Sequence, residues 1–371
     1  MIIPYYNLKP QHQEIKKELN LKFSDIMKSG NYVQGPEIVK FEKNFSNFLN
    51  APYCIGLNSG TSALHLALLS LGIGKGDEVI TTPLTFVATI AAILYTGAKP
   101  ILVDIDEDTY NIDSQKIEQA ITKKTKAIIP VHLHGRISNM KKILTISKKY
   151  NLSVVEDSSQ AHGAKQNKKY SGTLGRIGTF SFYPAKTLGA MGDAGALVTS
   201  DKKIYKKCKM LRSWGENWDD RNKRGFHILH GYNYRISSLQ ASVINIKIKK
   251  LKKWNFERLK IADFYYKNLS NCNILLPKKS SKGEHVYHIF AIRHKNREKF
   301  RYKLLKKGIA TGVHYHMCIH EQPAYRKILP YKRDDFPIAE KIAKEMVSLP
   351  IWPYMTKKQL NKICESIRKI G

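Results

Sequence analysis

The chain has 371 residues, of which 42% are hydrophobic and 10% aromatic, enough to bury the core of one large and one smaller globular domain. Its 63 lysines and arginines outnumber 30 acidic residues and give a formal net charge of +33. These basic residues recur in nearly every segment rather than in one basic domain. We therefore favour a lysine-rich surface that attracts anionic small molecules over a nucleic-acid-binding protein.

The sequence lacks the usual signs of secretion, membrane insertion and metal binding. The opening residues, MIIPYYNLKPQHQEIKK, contain no charged segment leading into an apolar one, and the run VATIAAILYTGA is too short to span a bilayer. The five cysteines, at positions 54, 208, 272, 318 and 364, are far apart and form no CxxC pair. We expect a cytoplasmic protein without a bound metal, a membrane anchor or a disulfide framework.

Between about residues 50 and 200, short apolar runs rich in Val, Ile and Thr alternate with helical patterns. Several runs are continuously apolar, as in strands buried on both faces of a sheet. The predicted strands are YCIGLN, DEVITTP, KPILVDI, KAIIPVHL, LSVVED, GTFSFY and GALVTS. The predicted helices between them are TSALHLALLSLGI, FVATIAAILYTG and NMKKILTISKKYN. This alternation predicts an α/β fold with a mainly parallel sheet between layers of helices.

After about residue 205 the pattern becomes helical, in the stretch SLQASVINIKIKKLKKWNFERLKIADFYYKNL, and mixed short elements follow to the end. Here Ile244, Ile248 and Leu251 recur at helical spacing, which predicts a core stripe with a solvated lysine face rather than a nucleic-acid-binding helix. We predict a large α/β domain over residues 1–250 and a smaller α+β domain over residues 251–371.

Three stretches place polar side chains after predicted strands, at the sheet edge where α/β proteins bind ligands. In LNSGTSALHLAL, a strand is followed by small and hydroxylated residues, among them Gly60 and Thr61, and then by a helix. Free N–H groups at a helix N-terminus favour a phosphate, although the same residues can simply cap the helix. The spacing matches neither a Walker loop nor GxGxxG.

The second stretch, SVVEDSSQAHGA, carries two carboxylates out of a buried strand, Glu156 and Asp157, with Gln160 and His162 on the following turn. A buried carboxylate is costly unless a cation or strong hydrogen-bond donors meet it. The pair therefore either serves a bound group or caps the next element.

The third stretch, SFYPAKTLGAMGDAGALVTS, holds Lys186 among aromatic and small residues, unlike the lysines elsewhere in the chain. Pro184 and the small residues predict that Lys186 lies outside regular helix and strand, and the glycines allow close approach of the backbone. A lysine in such surroundings loses its proton at modest cost, which suits imine chemistry.

Together the three stretches indicate a cofactor with a phosphate, a group that needs a carboxylate partner, and a carbonyl that forms an imine with lysine. Pyridoxal 5'-phosphate (PLP) has all three. Asp157 would keep its pyridine nitrogen protonated, while Lys186 would hold its aldehyde and then carry a proton.

With these stretches, the sequence resembles the DegT/DnrJ/StrS family of nucleotide-sugar aminotransferases, which are fold-type I PLP enzymes. The motifs that carry the resemblance follow one another over nearly the whole chain. They are NYVQGPEIVKFEKNFSNFL, LNSGTSALHLAL, GDEVITTPLTFVAT, VDIDEDTYNID, AIIPVHLHG, VVEDSSQAHGA, SFYPAKTLGAMGDAGALVT, GYNYRISSLQASV, GVHYHMCIHEQPAY and SLPIWPYMT. The resemblance implies the fold of a fold-type I PLP transferase.

The resemblance also implies roles around the cofactor. Lys186 matches the lysine that forms a Schiff base with PLP, and Asp157 matches the partner of the pyridine nitrogen. Gln160 resembles the residue that contacts the ring hydroxyl, and Phe86 resembles the aromatic packed on the ring, although it could also be an ordinary core phenylalanine. The matches to phosphate contacts are Gly60, Thr61 and Ser181.

Four further positions resemble residues that act across a homodimer. Asn233 matches a residue that reaches the cofactor phosphate of the neighbouring subunit. Arg235, His314 and Tyr315 would line the nucleotide-sugar side, again across the dimer, although His314 could equally be a structural histidine. The resemblance therefore implies shared active sites and an inactive monomer.

The sequence departs from the family pattern at two positions. Ala194 stands where the family usually has the first of two glycines, and His134 stands where an aromatic is common. Neither change removes a catalytic group, but both reshape the expected sugar pocket.

The resemblance implies transfer of an amino group from an amino acid, glutamate by family habit, to a keto group of a dTDP-, UDP- or GDP-linked keto-sugar, in the synthesis of amino sugars for surface polysaccharide or glycoconjugates. The stretches MIIPYYNLKPQ, NYVQGPE and KKWNFERLKIADFYY favour amination at C-3, although GYNYR also occurs in C-4 enzymes. The alternatives are a C-4 aminotransferase, a related sugar dehydratase, a regulatory PLP protein and a basic nucleic-acid-binding protein. Some related dehydratases have a histidine in place of the lysine, which Lys186 argues against, and others use an iron–sulfur cluster, which the scattered cysteines argue against.

Overall fold

The structure is a computed structural model, and it describes residues 2–217 and 225–370. All the helices predicted between strands are present, and two further helices precede the first strand. In chain order the helices are α1 (Lys9–Ser29), α2 (Pro36–Leu49), α3 (Gly60–Ser70), α4 (Val87–Tyr95), α5 (Met140–Lys149), α6 (Lys202–Arg212), α7 (Ser238–Lys247), α8 (Leu251–Leu269), α9 (Arg297–Lys306), α10 (Pro337–Glu345) and α11 (Lys357–Ile370). Within the described residues, no helix combines the length and hydropathy needed to cross a membrane.

Seven strands form one large sheet, and all seven were predicted. Together with four strands that the structure describes outside this sheet, the strands in chain order are β1 (Tyr53–Leu57), β2 (Glu78–Thr81), β3 (Lys99–Leu102), β4 (Thr125–Ile128), β5 (Ser153–Asp157), the short hairpin β6 (Lys165–Gln166) and β7 (Lys169–Tyr170), β8 (Ile177–Ser181), β9 (Gly195–Thr199), β10 (Phe290–Arg293) and β11 (Met346–Leu349). The large sheet has the order β1-β9-β8-β5-β4-β2-β3. Only β9 runs antiparallel to its neighbours, β8 and β1. The predicted mainly parallel sheet is therefore confirmed.

Helices cover both faces of the large sheet. Successive residues of a strand point to opposite faces, and β5 shows the consequence. Val155 packs with Leu64 of α3 and Leu197 of β9 in one core, whereas Val154 packs with Ile143 of α5 in another. Burial on both faces explains why these strands are continuously apolar rather than alternating.

A further hydrophobic core gathers residues of α8, α9, α11 and the antiparallel pair β10–β11. The N-terminus joins this core, because Ile3 is fully buried in it and its N–H donates to the Gly308 carbonyl at 2.7 Å. This mixture of helices and a small sheet agrees with the predicted α+β unit, while the boundary near residue 250 stays a prediction.

The basic stretch before α8 is a core element. Ile244, Ile248 and Leu251 are buried together, so the predicted core stripe is confirmed. The prediction of a solvated lysine face is wrong for Lys247, which is only 3% exposed. The reason is the packing of α1 on α7, which places His12 3.3 Å from the Lys247 amine.

Candidate active site

A cavity of about 610 Å³ lies at the carboxyl ends of β1, β5 and β8. This is the sheet edge at which the sequence placed its polar stretches. The predicted site residues that line the cavity are Gly60, Thr61, Phe86, Asp157, Gln160, Ser181, Lys186, His314 and Tyr315. Residues from distant parts of the chain therefore meet around one space.

The turn between β1 and α3 presents a helix N-terminus to this cavity. Ser59 caps the helix, because its Oγ accepts the N–H of Ser62 at 3.1 Å. A Cβ at Gly60 would lie 2.7 Å from the Cβ of Ser181, and a Cβ at Gly195 would lie 2.2 Å from the Ser59 carbonyl oxygen. Only glycine permits this close packing. The capped turn thus also offers the first N–H groups of α3 to an anion, which the helix dipole favours.

Asp157 ends β5 at the wall of the cavity and is 6% exposed. Its Oδ2 accepts the hydroxyl of Thr89 at 2.9 Å, and its Oδ1 accepts the N–H of Ser159 at 3.2 Å. These two donors fix the carboxylate in one orientation. Thr89 ends the stretch GDEVITTPLTFVAT, and the sequence did not indicate a role for it.

The neighbouring Glu156 points to the other face of the sheet, where it is fully buried. One oxygen accepts the His132 Nε2 hydrogen at 2.9 Å and the N–H of Gly172 at 2.8 Å. The other accepts the N–H groups of Leu174 and Gly175 at 2.7 and 2.6 Å. Of the two alternatives for this pair of carboxylates, Glu156 takes the structural one and Asp157 faces the cavity.

Lys186 lies in the turn after β8, outside helix and strand as predicted. Its N–H donates to the Tyr183 carbonyl at 2.8 Å, which closes the turn, while its Nζ has no hydrogen-bond partner among the described residues. Burial lowers the pKa of Lys186 to about 8, and the negative charge of Asp157 acts against this shift. About a tenth of such an amine is neutral at pH 7, far more than for an ordinary lysine.

A network of hydrogen bonds links Gln160 and His134, which follow β5 and β4, to the segment of His314 and Tyr315. The His134 N–H donates to Gln160 Oε1 at 2.8 Å, and Gln160 Nε2 donates to the Tyr315 hydroxyl at 3.2 Å. His134 Nε2 donates to the His314 carbonyl at 3.0 Å. Desolvation lowers the pKa of His134 to about 4 and that of His314 to about 3, so both rings are neutral at physiological pH.

His314 and Tyr315 line the cavity that Lys186 of the same chain lines, while their expected action across a dimer stays a prediction. The backbone of Gly312 pairs with that of Ser348 in β11. Ser348 Oγ also lies 2.9 Å from His314 Nδ1. Pairing with β11 therefore carries this segment to the cavity that Lys186 lines.

Asn233 and Arg235 lie elsewhere. Arg235 pairs with Leu57 and lines a different cavity, also of about 610 Å³, together with Arg212. The Asn233 carbonyl accepts the Asn58 side-chain amide at 3.3 Å. Neither residue is among those that line the cavity of their own Lys186.

The sequence matches the DegT/DnrJ/EryC1/StrS aminotransferase family over residues 13–368. The chain belongs to this family. A dTDP-3-amino-3,6-dideoxy-alpha-D-galactopyranose transaminase from Aneurinibacillus thermoaerophilus is 40% identical over 370 residues and covers 100% of both chains. A pleiotropic regulatory protein from Geobacillus stearothermophilus is 39% identical, over 99% of this chain and 98% of that protein. The solved structure of DesV from S. venezuelae has a TM-score of 0.95 at 36% identity, over 99% of this chain and 98% of DesV.

Enzymes of the DegT/DnrJ/EryC1/StrS family depend on PLP, and solved relatives include PLP and pyridoxamine phosphate forms. The cavity fits this group on its own chemistry. It offers a helix N-terminus for a phosphate, the oriented carboxylate of Asp157 for a pyridine nitrogen, and the free amine of Lys186 for an aldehyde. The match to solved aminotransferases also confirms the predicted fold class.

Several residues that line the cavity were not predicted from the sequence. Tyr5, Arg258 and His288 all line the cavity. Only Arg258 carried a signal: it falls at helical spacing from the buried Leu251 and Trp254, where an apolar residue is expected. Tyr5 and His288 reach the cavity through tertiary packing alone.

A separate group of possible metal ligands lies outside this cavity. His320, Glu321 and Glu340 offer ligand atoms within 4.8 Å of one another. Glu340, however, already accepts hydrogen bonds from His320 Nε2 at 3.1 Å and from the N–H groups of Asp334 and Phe336. Hydrogen bonding therefore explains why these side chains lie together: Glu340 fixes the residues just before α10.

Proposed function

We propose that this protein transfers an amino group from an amino acid, L-glutamate, to the C-3 keto group of a nucleotide-linked keto-sugar. The observation that carries the proposal is the meeting of the free Lys186 amine, the Asp157 carboxylate and the N-terminus of α3 in one cavity. The relative named as a dTDP-3-amino-sugar transaminase, 40% identical over the full length, supports C-3. We place the enzyme in the cytoplasm, in amino-sugar synthesis for surface polysaccharide or glycoconjugates.

PLP, when bound, supplies the aldehyde that receives the amino group and the ring that delocalises electrons from the reacting carbon. Lys186 holds the cofactor and then moves a proton, for which a pKa of about 8 is well suited because the amine both gives and takes a proton near neutral pH. Asp157, oriented by Thr89, stabilises positive charge at the ring nitrogen.

The remaining walls position the substrates and exclude water. Phe86 packs near Tyr315, with ring centroids 5.9 Å apart, and forms an apolar side of the cavity. His314 and Tyr315 offer neutral hydrogen-bonding groups to sugar hydroxyls, because burial also raises the pKa of the Tyr315 phenol. Because His314 and Tyr315 are uncharged, they bind a sugar without disturbing the electrostatic interaction between Asp157 and Lys186.

We further propose a homodimer with shared sites. Asn233 and Arg235 resemble residues that reach the neighbouring subunit, and both lie outside the cavity of their own chain. Val33 and Val39, near Arg235, are 54% and 66% exposed, as expected of a surface that another chain covers. Mixing Lys186→Ala and Asn233→Ala subunits should restore about one quarter of wild-type activity, because half of the dimers then carry one intact site. Failure to restore activity would contradict shared sites.

The proposed function is tested with the PLP-loaded protein in two steps. Absorbance is recorded before and after L-glutamate, and we expect loss of the visible cofactor band and gain of the band of its amine form. The protein with its cofactor in the amine form is then mixed with dTDP-, UDP- and GDP-linked 3-keto and 4-keto sugars. The products are identified by mass spectrometry and NMR. Spectra that ignore glutamate and match those of Lys186→Ala would overturn the proposal. Amination at C-4 alone would correct the position.

A regulatory PLP-binding protein is the second candidate, because a relative 39% identical is named a pleiotropic regulatory protein. The same two steps separate the candidates. A regulator would bind PLP, and its spectrum would stay unchanged with glutamate or with every keto-sugar.

A further inference from the structure

Arg258 is a buried cation in the cavity wall that the proposed reaction leaves without a role. It lies on α8, is 4% exposed and lines the cavity with Lys186. Its Nη1 donates to the Ile351 carbonyl at 2.9 Å and makes longer contacts of 3.4 Å with the Tyr287 and His288 carbonyls. Its Nε is buried without a partner. No carboxylate pairs with it in residues 2–217 and 225–370.

The other arginine that is deeply buried within the described part of the chain shows what Arg258 lacks. Arg293 is 5% exposed and pairs with Glu107 at 2.9 Å and with Glu345 at 2.8 Å. Burying a guanidinium without a counter-charge is costly, and burial lowers the pKa of Arg258 to about 10. Carbonyl dipoles offset only part of that cost. A guanidinium left in this state beside a cavity is suited to an anion that arrives with a ligand.

A second unused polar group lies beside it. His288 also lines the cavity, and its Nδ1 is buried without a partner. The charges of both Lys186 and Arg258 lower the pKa of this ring, in addition to desolvation, so His288 lies within electrostatic reach of both cations. An anion at this place would therefore sit close to the reacting amine.

We propose that Arg258 binds the α-carboxylate of the amino-acid donor. The inference rests on the proposed aminotransferase function and adds a donor subsite to the same cavity. A carboxylate fits better than a phosphate, because the N-terminus of α3 already serves a phosphate and Arg258 is too buried for a bulky group. We assign this carboxylate to the amino-acid donor rather than to the sugar acceptor. Every amino-acid donor has a carboxylate on the carbon that carries the reacting nitrogen.

The test compares two donors that differ only in this group, L-glutamate and 4-aminobutyrate, with PLP-loaded wild type, Arg258→Gln and Arg258→Lys. Donor conversion is followed by absorbance in single turnovers. We expect Arg258→Gln to reduce the preference for glutamate over 4-aminobutyrate about 10- to 150-fold, the range for a hydrogen bond to a charged group. Arg258→Lys should retain part of that preference, since it keeps a positive charge. Arg176→Gln, which removes an exposed arginine paired with Asp201, is the matched control and should leave the preference unchanged.

The ratio of donors distinguishes binding from a general disturbance of the fold, because loosened packing slows both donors alike. An unchanged ratio in Arg258→Gln would overturn the inference. L-Glutamine serves as a third donor that lacks only the γ-carboxylate. If Arg258→Gln instead abolishes the preference for glutamate over glutamine, the γ-carboxylate lies at Arg258 and the inference is also overturned. Transfer from the aminated protein to the keto-sugar should persist in Arg258→Gln. If wild type itself converts no donor, the proposed function fails before the inference is reached.

Discussion

Among the described residues, two lysines have a pKa lowered by desolvation, Lys186 and Lys247, and of these two Lys186 alone lines the cavity. Burial lowers the pKa of both Lys186 and Lys247 to about 8. The Lys247 amine donates to the Gly189 carbonyl at 2.7 Å and lies 3.3 Å from His12 Nε2. The Lys186 amine lines the cavity and has no such partner in the described residues.

The comparison shows that desolvation alone does not make a lysine reactive. A lowered pKa supplies neutral amine, but the lone pair must also meet a substrate. Packing of α1 on α7 closes the surroundings of Lys247, whereas Lys186 opens into a space that also contains the Asp157 carboxylate. The difference lies in what surrounds each amine rather than in its pKa.

The largest test removes each amine in turn. Lys186→Ala should lower the transamination rate at least about 10⁴-fold, because the chain loses both its covalent attachment for PLP and its proton carrier. Lys247→Met should keep most of the activity, since this amine does not reach the cavity. Single-turnover absorbance with glutamate measures both. A comparable loss in Lys247→Met would contradict the distinction between the two lysines.

The second test concerns the carboxylate near Lys186. Asp157→Asn should lower the rate about 10²- to 10³-fold, because an amide cannot stabilise a protonated ring nitrogen. Glu156→Gln is the matched neighbour: it should cost about 3–5 kcal/mol of unfolding free energy by breaking a buried pair, with kcat of the folded protein little changed. Denaturant unfolding and kcat are measured for both variants. A large kcat loss in Glu156→Gln would place that residue in the reaction.

The third test uses pH to examine Lys247. Its pKa is lower in the folded chain than in the unfolded chain, so between about pH 8 and 10.5 the unfolded state holds a proton that the folded state has released. Lys247 therefore makes stability rise with pH across this window, by at most about 1.4 kcal/mol per pH unit. Lys247→Met should remove that slope. Both proteins contain Lys186, so its contribution cancels in denaturant unfolding at fixed protein concentration. Equal slopes would show that Lys247 is not desolvated.

The smallest effect is expected at His134, in the hydrogen-bond network that links Gln160 to the segment of His314. His134→Asn keeps a residue that tolerates the left-handed backbone at this position, where φ is 58°, but loses the bond from Nε2 to the His314 carbonyl. We expect kcat/KM for the keto-sugar to fall about fivefold, the equivalent of about 1 kcal/mol. The donor half-reaction should change less. A loss confined to the donor would show that His134 does not position the acceptor side.

The large sheet could be predicted because each of its strands is a short apolar run whose burial is visible in its composition. The surroundings of Lys186 could be predicted for a similar reason, since Pro184 restricts the local backbone and the glycines allow other backbone to approach closely. The features that could not be predicted from the sequence depend on contacts between distant segments. Arg258 reaches the cavity from α8, and the segment of His314 reaches it through pairing with β11, neither of which is visible in the local sequence pattern.

The burial of Ile3 against Gly308 has a consequence for how the protein is made. The strand-like pairing of Ile3 with Ile309 joins the N-terminal segment to the residues after α9, and Tyr5, a lining residue of the cavity, lies two residues beyond Ile3. A growing chain cannot make this contact until residue 309 has left the ribosome, long after β9, the last strand of the large sheet in chain order, has been synthesised. The N-terminal segment around Ile3 therefore remains without this pairing while the residues up to 309 are synthesised. Closure of the cavity is therefore among the last events of folding.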